Sequence, residues 1–217
     1  MRLFREKVRA AFFLLLLLSL ATFSLLLICS DSEGQLCSFF NDYSIYLGAG
    51  SIQLGLFSAA MYYLWDKDVK TTLKNLAFPG NIVRNIVLSI TGFMLVMAVL
   101  LLLGIVAQYF GFSDQEAVYE KVSELPLYIL IFAVTAAPLS EELFFRALLV
   151  PRTGVILSSL FFGAMHFAYG SVVEVAGAAL IGIVLAVIFR VAKSITPCLI
   201  IHIVYNLMSI TVMRLLL

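Results

Sequence analysis

The sequence predicts an all-α fold, a polytopic membrane helix bundle of about seven transmembrane helices with its N-terminus inside the cell. Three observations carry this. Of 217 residues, 63% are hydrophobic and 12% charged, with a mean hydropathy of +1.08, whereas about a quarter of the residues of a soluble domain are charged. Apolar runs recur at lengths suited to a hydrocarbon core of about 30 Å, which a helix of about 20 residues crosses. The basic residues are also lopsided. With the N-terminus inside, twelve of the 14 Lys and Arg, from Arg2 through Lys67 and Arg84 to Lys193, fall on the cytoplasmic side, and only Lys121 and Arg214 fall outside. Basic residues accumulate on the cytoplasmic side of membrane proteins, and the bias survives discounting Arg146, which lies within a span. The net charge of +1 and the lack of a basic cluster exclude nucleic acid as a partner; the lipid bilayer is the partner that this composition implies.

Four basic residues precede the apolar run 10–28, which is long enough to span and is followed by no small-residue cleavage site, so it reads as a retained first helix. Further spans fall at 44–64, 84–109, 126–149, 153–169, 172–190 and 195–214. Between the second and third, Asp66 to Gly80 is polar, with an interfacial turn around Leu73, Leu76 and Phe78 and a stop at Pro79-Gly80. Between the third and fourth, Ser113-Asp-Gln-Glu116 fits a capping box opening a short surface helix, Asp114 to Glu124, whose five charges make it a solvated face. Pro126 suits the first turn of the helix that follows. Ser159 and Gly163, and Ala178 and Gly182, have the small-xxx-small spacing that lets membrane helices approach closely. Cys29 and Cys37 flank a polar loop placed outside the cytoplasm, where a disulfide is chemically allowed, while Cys198 reads as a small buried hydrophobe.

The costliest residues lie in the fourth span. Glu141 and Glu142 sit in an otherwise apolar run, and a charge at the bilayer centre costs at least about 2.5 to 3.5 kcal/mol. Glu142 and Arg146 are one helical turn apart and neutralise each other; the structural reading, an ion pair tying helices together, accounts for that pair alone. Glu141 is left to meet His166, His202 or Asn206. The two histidines and the two glutamates all lie within predicted spans, and the two glutamates count as the only intramembrane carboxylates. His202 and Asn206, at i,i+4, point the same way from the last helix.

A carboxylate, two imidazoles and a carboxamide suffice to hydrolyse a peptide bond without a covalent intermediate. Desolvation makes a buried glutamate more basic, suiting it to take a proton from water. His166 would share in orienting that water, and His202 with Asn206 would donate to the oxyanion. A metal reading uses the same atoms, with Glu141, His166 and His202 as zinc ligands. Both readings stand at this level, although no HExxH motif is present.

Glu141-Glu142-x-x-x-Arg146, Phe162-x-x-x-His166 and His202-x-x-x-Asn206, in that order on successive helices, resemble the three motifs of the CAAX protease and bacteriocin-processing (Abi) family. The resemblance covers about residues 126 to 210 and implies an intramembrane endopeptidase of glutamic type with no cofactor, zinc being the alternative. By position it implies Glu141 and His166 as water activators, His202 and Asn206 as the oxyanion hole, and Glu142 held by Arg146. It divides the chain into residues 1–125, N-terminal transmembrane helices with interfacial loops, and 126–217, a catalytic core of four spans. The chain has little beyond that core, which resembles short prokaryotic members, so the implied substrate is a membrane-anchored protein or peptide in a prokaryotic cell membrane. It would be a C-terminal sorting signal, a propeptide or a CAAX-like end. Immunity members of the family supply a non-catalytic alternative, a bacteriocin-immunity or peptide-binding membrane protein using the same polar cluster.

Overall fold

A computed structural model describes residues 2–29, 37–38, 43–66, 68–78 and 80–216. The described residues form helices and turns with no strand, so the fold is all-α. Lys67 and Pro79, used above for sidedness and as a stop, lie outside the described residues. Two compact units divide the chain, residues 1–76 and 77–217.

In the first unit, α1 (Arg2–Cys29) packs antiparallel on α2 (Ser44–Leu64). Small side chains set the approach: the Ser19 hydroxyl donates to the Ser51 carbonyl at 2.6 Å, and Gly55 faces Ser19 so closely that a Cβ would lie 2.5 Å from its Oγ. At one end Arg9 donates to the Trp65 carbonyl and Arg5 pairs with Asp66. At the other a Cys29–Cys37 disulfide is formed. The interfacial turn is the helix α3 (Val69–Asn75), capped by the Asp68 side chain on the Thr71 N–H; Leu73 is exposed and Leu76 buried.

In the second unit α4 (Ile82–Tyr109) is capped by Asn81 and packs against α9 (Val172–Ala192) and α10 (Thr196–Leu216). Short α5 (Glu116–Ser123) buries Val118 and Val122. Its expected capping box is not made. Gln115 occupies the N-cap position without a side-chain bond. Asp114 instead receives the Ser171 hydroxyl and the Val172 N–H, so it helps to cap the start of α9.

The expected single helix over 126–149 is three pieces: α6 (Leu127–Val134), α7 (Ala136–Glu141) and a π-helical turn pair (Glu142–Leu149). Pro138 has no N–H to offer the Val134 carbonyl, and the chain breaks at Thr135 (φ −114°, ψ −72°). Then α8 (Val150–Ala164) follows, interrupted at Gly154 with φ 84° and ψ 178°, a backbone conformation that glycine alone adopts readily. The span expected at 153–169 ends early, giving way to a 3₁₀ turn, Phe167–Tyr169.

Among the described residues five stretches are long and apolar enough to cross a membrane: Phe4–Cys29, Ile82–Tyr109, Leu127–Tyr169, Val172–Ala192 and Thr196–Leu215. The third holds 43 residues, about 65 Å if straight, twice what one passage needs, and the Gly154 interruption divides it. α2, of 21 residues, is outside these five. Three of the four small residues meet across α8 and α9: a Cβ on Gly163 would lie 2.7 Å from the Val175 carbonyl oxygen and from the Ala179 Cβ, in place of the expected Ala178, and one on Gly182 would lie 3.2 Å from the Ser159 Cα. Cys198 is buried, with its Sγ 3.2 Å from the Leu185 carbonyl.

Candidate active site

The π-helical segment organises the polar cluster. Its wider winding, a feature found mostly as local turns at functional sites, buries Glu142, Phe145 and Arg146 together. The Ser158 hydroxyl donates to the Phe145 carbonyl and fixes α8 against it. Arg146, 1% exposed, lies 3.1 Å from Glu142 Oε1, and its guanidinium stands over the Phe162 ring at 4.5 Å. The ion pair expected from the spacing is therefore made, and the ring covers the face of the guanidinium that water would otherwise solvate.

His202 stands between the two glutamates. Its Nδ1 is 2.8 Å from Glu142 Oε1 and its Nε2 is 3.7 Å from Glu141 Oε2. The carboxylate fixes the tautomer, with Nδ1–H donating to Glu142. Two carboxylates face one guanidinium here, so a single proton held between Glu141 and His202 makes the row neutral.

His166 lies just beyond α8. Its Nδ1–H donates to the Phe162 carbonyl at 2.9 Å, since a carbonyl only accepts, and this leaves Nε2 as the basic nitrogen. Phe162 joins the pieces: its ring centroid is 5.0 Å from that of His166 and 5.8 Å from that of His202. Asn206, one turn beyond His202, donates from Nδ2 to the Ala133 carbonyl at 2.9 Å. That carbonyl is one of the last four of α6, left open by the break at Thr135. One amide N–H is thus engaged and the other remains as a donor.

Three residues near the site were not singled out from the sequence. Tyr169 stacks on His166, centroids 6.0 Å apart at 26°, and its phenol lies within electrostatic reach of Glu141 and Glu174. Phe162, quoted only as a motif position, is the contact shared by Arg146, His166 and His202. Glu174 corrects the count of intramembrane carboxylates: it occupies the first turn of α9, inside a predicted span, with its N–H held by the Ser171 hydroxyl. The pattern Ser171-Val-Val-Glu174, a capping box opening an apolar run, was the signal for it.

Among the described residues no group of three or more His, Cys, Asp and Glu is placed to hold a metal ion. Nδ1 of His166 and of His202 is engaged by a neighbour, which leaves Nε2 as the nitrogen of each that the zinc reading would use.

Residues 123–208 match the model of a family described as type II CAAX prenyl endopeptidase Rce1-like. The matched segment is similar to this family over 86 of the 217 residues. All six motif residues, Glu141, Glu142, Arg146, His166, His202 and Asn206, fall within the Rce1-like segment, whose bounds lie close to those of the motif resemblance. No curated protein and no solved structure matches the chain. The family is one of proteases, and with the apolar helices around it the Rce1-like segment is that of an integral membrane protein.

Proposed function

We propose that the protein is an intramembrane endopeptidase of glutamic type that cuts a peptide bond in a membrane-anchored protein or peptide. The observation that carries this reading is the bracketing of His202 by two carboxylates when Arg146 neutralises only one of them. Glu142 and Arg146 form the support; Glu141, 14% exposed, is the carboxylate available for chemistry. Water is activated by Glu141, with Nε2 of His166 orienting it or sharing its proton. As the hydroxide adds to the carbonyl carbon, the second Asn206 N–H and the Nε2–H of His202 stabilise the oxyanion. The proton taken by Glu141 then passes to the leaving amine as the C–N bond breaks, and the amine and the new carboxylic acid depart. Apo distances such as 3.7 Å between His202 and Glu141 tighten when substrate is bound.

The end of the second unit carrying Arg84, Arg190 and Lys193 is the cytoplasmic one in this reading, and a prokaryotic cell membrane is the setting. Replacing Glu141 by Gln keeps shape and removes the base. Comparing membrane peptidomes of cells carrying wild type and E141Q is expected to reveal intact precursor only in E141Q, with turnover down by about a thousandfold, within the usual range for a lost general base. Normal processing by a correctly inserted E141Q protein overturns the mechanism; protection or peptide binding without any cleavage by wild type favours the immunity reading.

A further inference from the structure

Beyond the catalytic cluster the second unit has a partly open cavity of about 220 Å³ at the α5 end of the bundle. Its polar lining comprises Gln115, Tyr119, Glu174, Tyr205 and Ser209, and Gly177 leaves it open on the α9 side. Glu174 is the only charged residue on its wall. That carboxylate makes no ion pair among the described residues, although it acts electrostatically on His166. Tyr205 is three residues from His202, about 4.5 Å along α10, and Ser209 lies one turn further. The cavity therefore shares α10 with His202, and its Glu174 lies within electrostatic reach of His166.

Its chemistry is one-sided. A carboxylate ringed by hydroxyls and an amide supplies one negative charge beside groups that both donate and accept, and a carboxylate at membrane depth is costly until a cation meets it. The volume equals that of roughly seven liquid waters, enough for one extended side chain and too little for a folded element. We propose that this cavity is a specificity subsite that takes a lysine or arginine side chain of the substrate next to the cut bond, its cation lying against Glu174. The proposal rests on the peptidase reading for what is cut, and on the cavity itself for what is bound.

The test uses full-length protein in lipid nanodiscs and fluorescent membrane-tethered decapeptides that differ only in one residue, Lys, norleucine or Glu, scanned along the sequence. In the E141Q background, binding by anisotropy is expected to favour the Lys peptide over its norleucine twin by about tenfold at one register, a moderate value for a partly buried charge pair. The preference disappears in E141Q/E174Q and turns toward the Glu peptide in E141Q/E174K. In cleavage, E174Q loses the preference, read as the ratio of kcat/KM for the Lys and norleucine peptides within that one variant, whatever its overall rate. An undiminished preference in E174Q overturns the proposal, and so does an equal loss on all peptides, which would make Glu174 a residue that serves His166 alone. Binding preference with no cleavage by wild type refutes the peptidase reading and leaves the subsite standing. Cleavage without preference does the reverse.

Discussion

Arg146 is the residue on which the polar cluster depends most. Fully enclosed by Glu142 and the Phe162 ring, it has no solvent to replace a lost partner, and removing one member of a buried pair typically costs about 3 to 5 kcal/mol. Arg146→Met is therefore expected to lower stability by about 3 kcal/mol, with Glu142→Gln added on top recovering part of the loss. Denaturant titration of the purified protein checks both, and an additive double variant would show that the pair is not coupled. This pair was legible from the i,i+4 spacing alone. The second role of Glu142, accepting from His202 Nδ1, was not, because it joins residues 60 positions apart and no local pattern encodes that contact.

At the level of helices, α8 and α9 fit together through residues too small to be replaced, and the spacing of those residues announced it. Gly163 faces backbone: the Val175 oxygen would be 2.7 Å from an added Cβ. Gly163→Ala is expected to cost about 1 to 3 kcal/mol as an overpacked site, and to reduce turnover about tenfold or more by displacing His166, three residues on. Gly92 faces only the tips of Ile188 and Ile201; Gly92→Ala, which also improves helix propensity, is expected to leave melting temperature and turnover near wild type. Equal damage by the two would show that backbone contact is not what decides. The broken course of residues 127–149 was not foreseen, although Pro138 was in view. Apolar periodicity over 24 residues outweighed one missing N–H, and a π turn has no sequence signature. Asp114 is the other misjudged contact. Slight burial opposes its ionisation, but the Ser171 hydroxyl and the N–H groups of Val172 and Val173 outweigh that and hold its carboxyl below the ordinary 3.8. A lowered value means that this cap stabilises fully above pH 3.8 and is lost as pH falls below it. Hydrogen exchange at Val172 to Val175 is therefore expected to quicken in Asp114→Asn at neutral pH, and in wild type only in that acid range.

For the molecule as a whole, composition sufficed to make it a membrane bundle and the three motifs sufficed to gather the catalytic candidates, since lipid forbids charged residues wherever nothing holds them. Composition could not reveal Glu174 as a wall of a cavity, because a cavity exists only once four helices have met. The row Glu141, His202, Glu142 and Arg146, neutral with one proton, has a further consequence. In the proposed cycle that proton count is restored at every turnover: the hydrogen taken from water leaves on the product amine, and no ion crosses the lipid. Moving one full charge through the membrane field would be worth about 2.3 kcal/mol per 100 mV, roughly a fiftyfold change in rate. Proteolysis in sealed vesicles should instead be electrically silent, proceeding at one speed whether a potassium diffusion potential is imposed or collapsed.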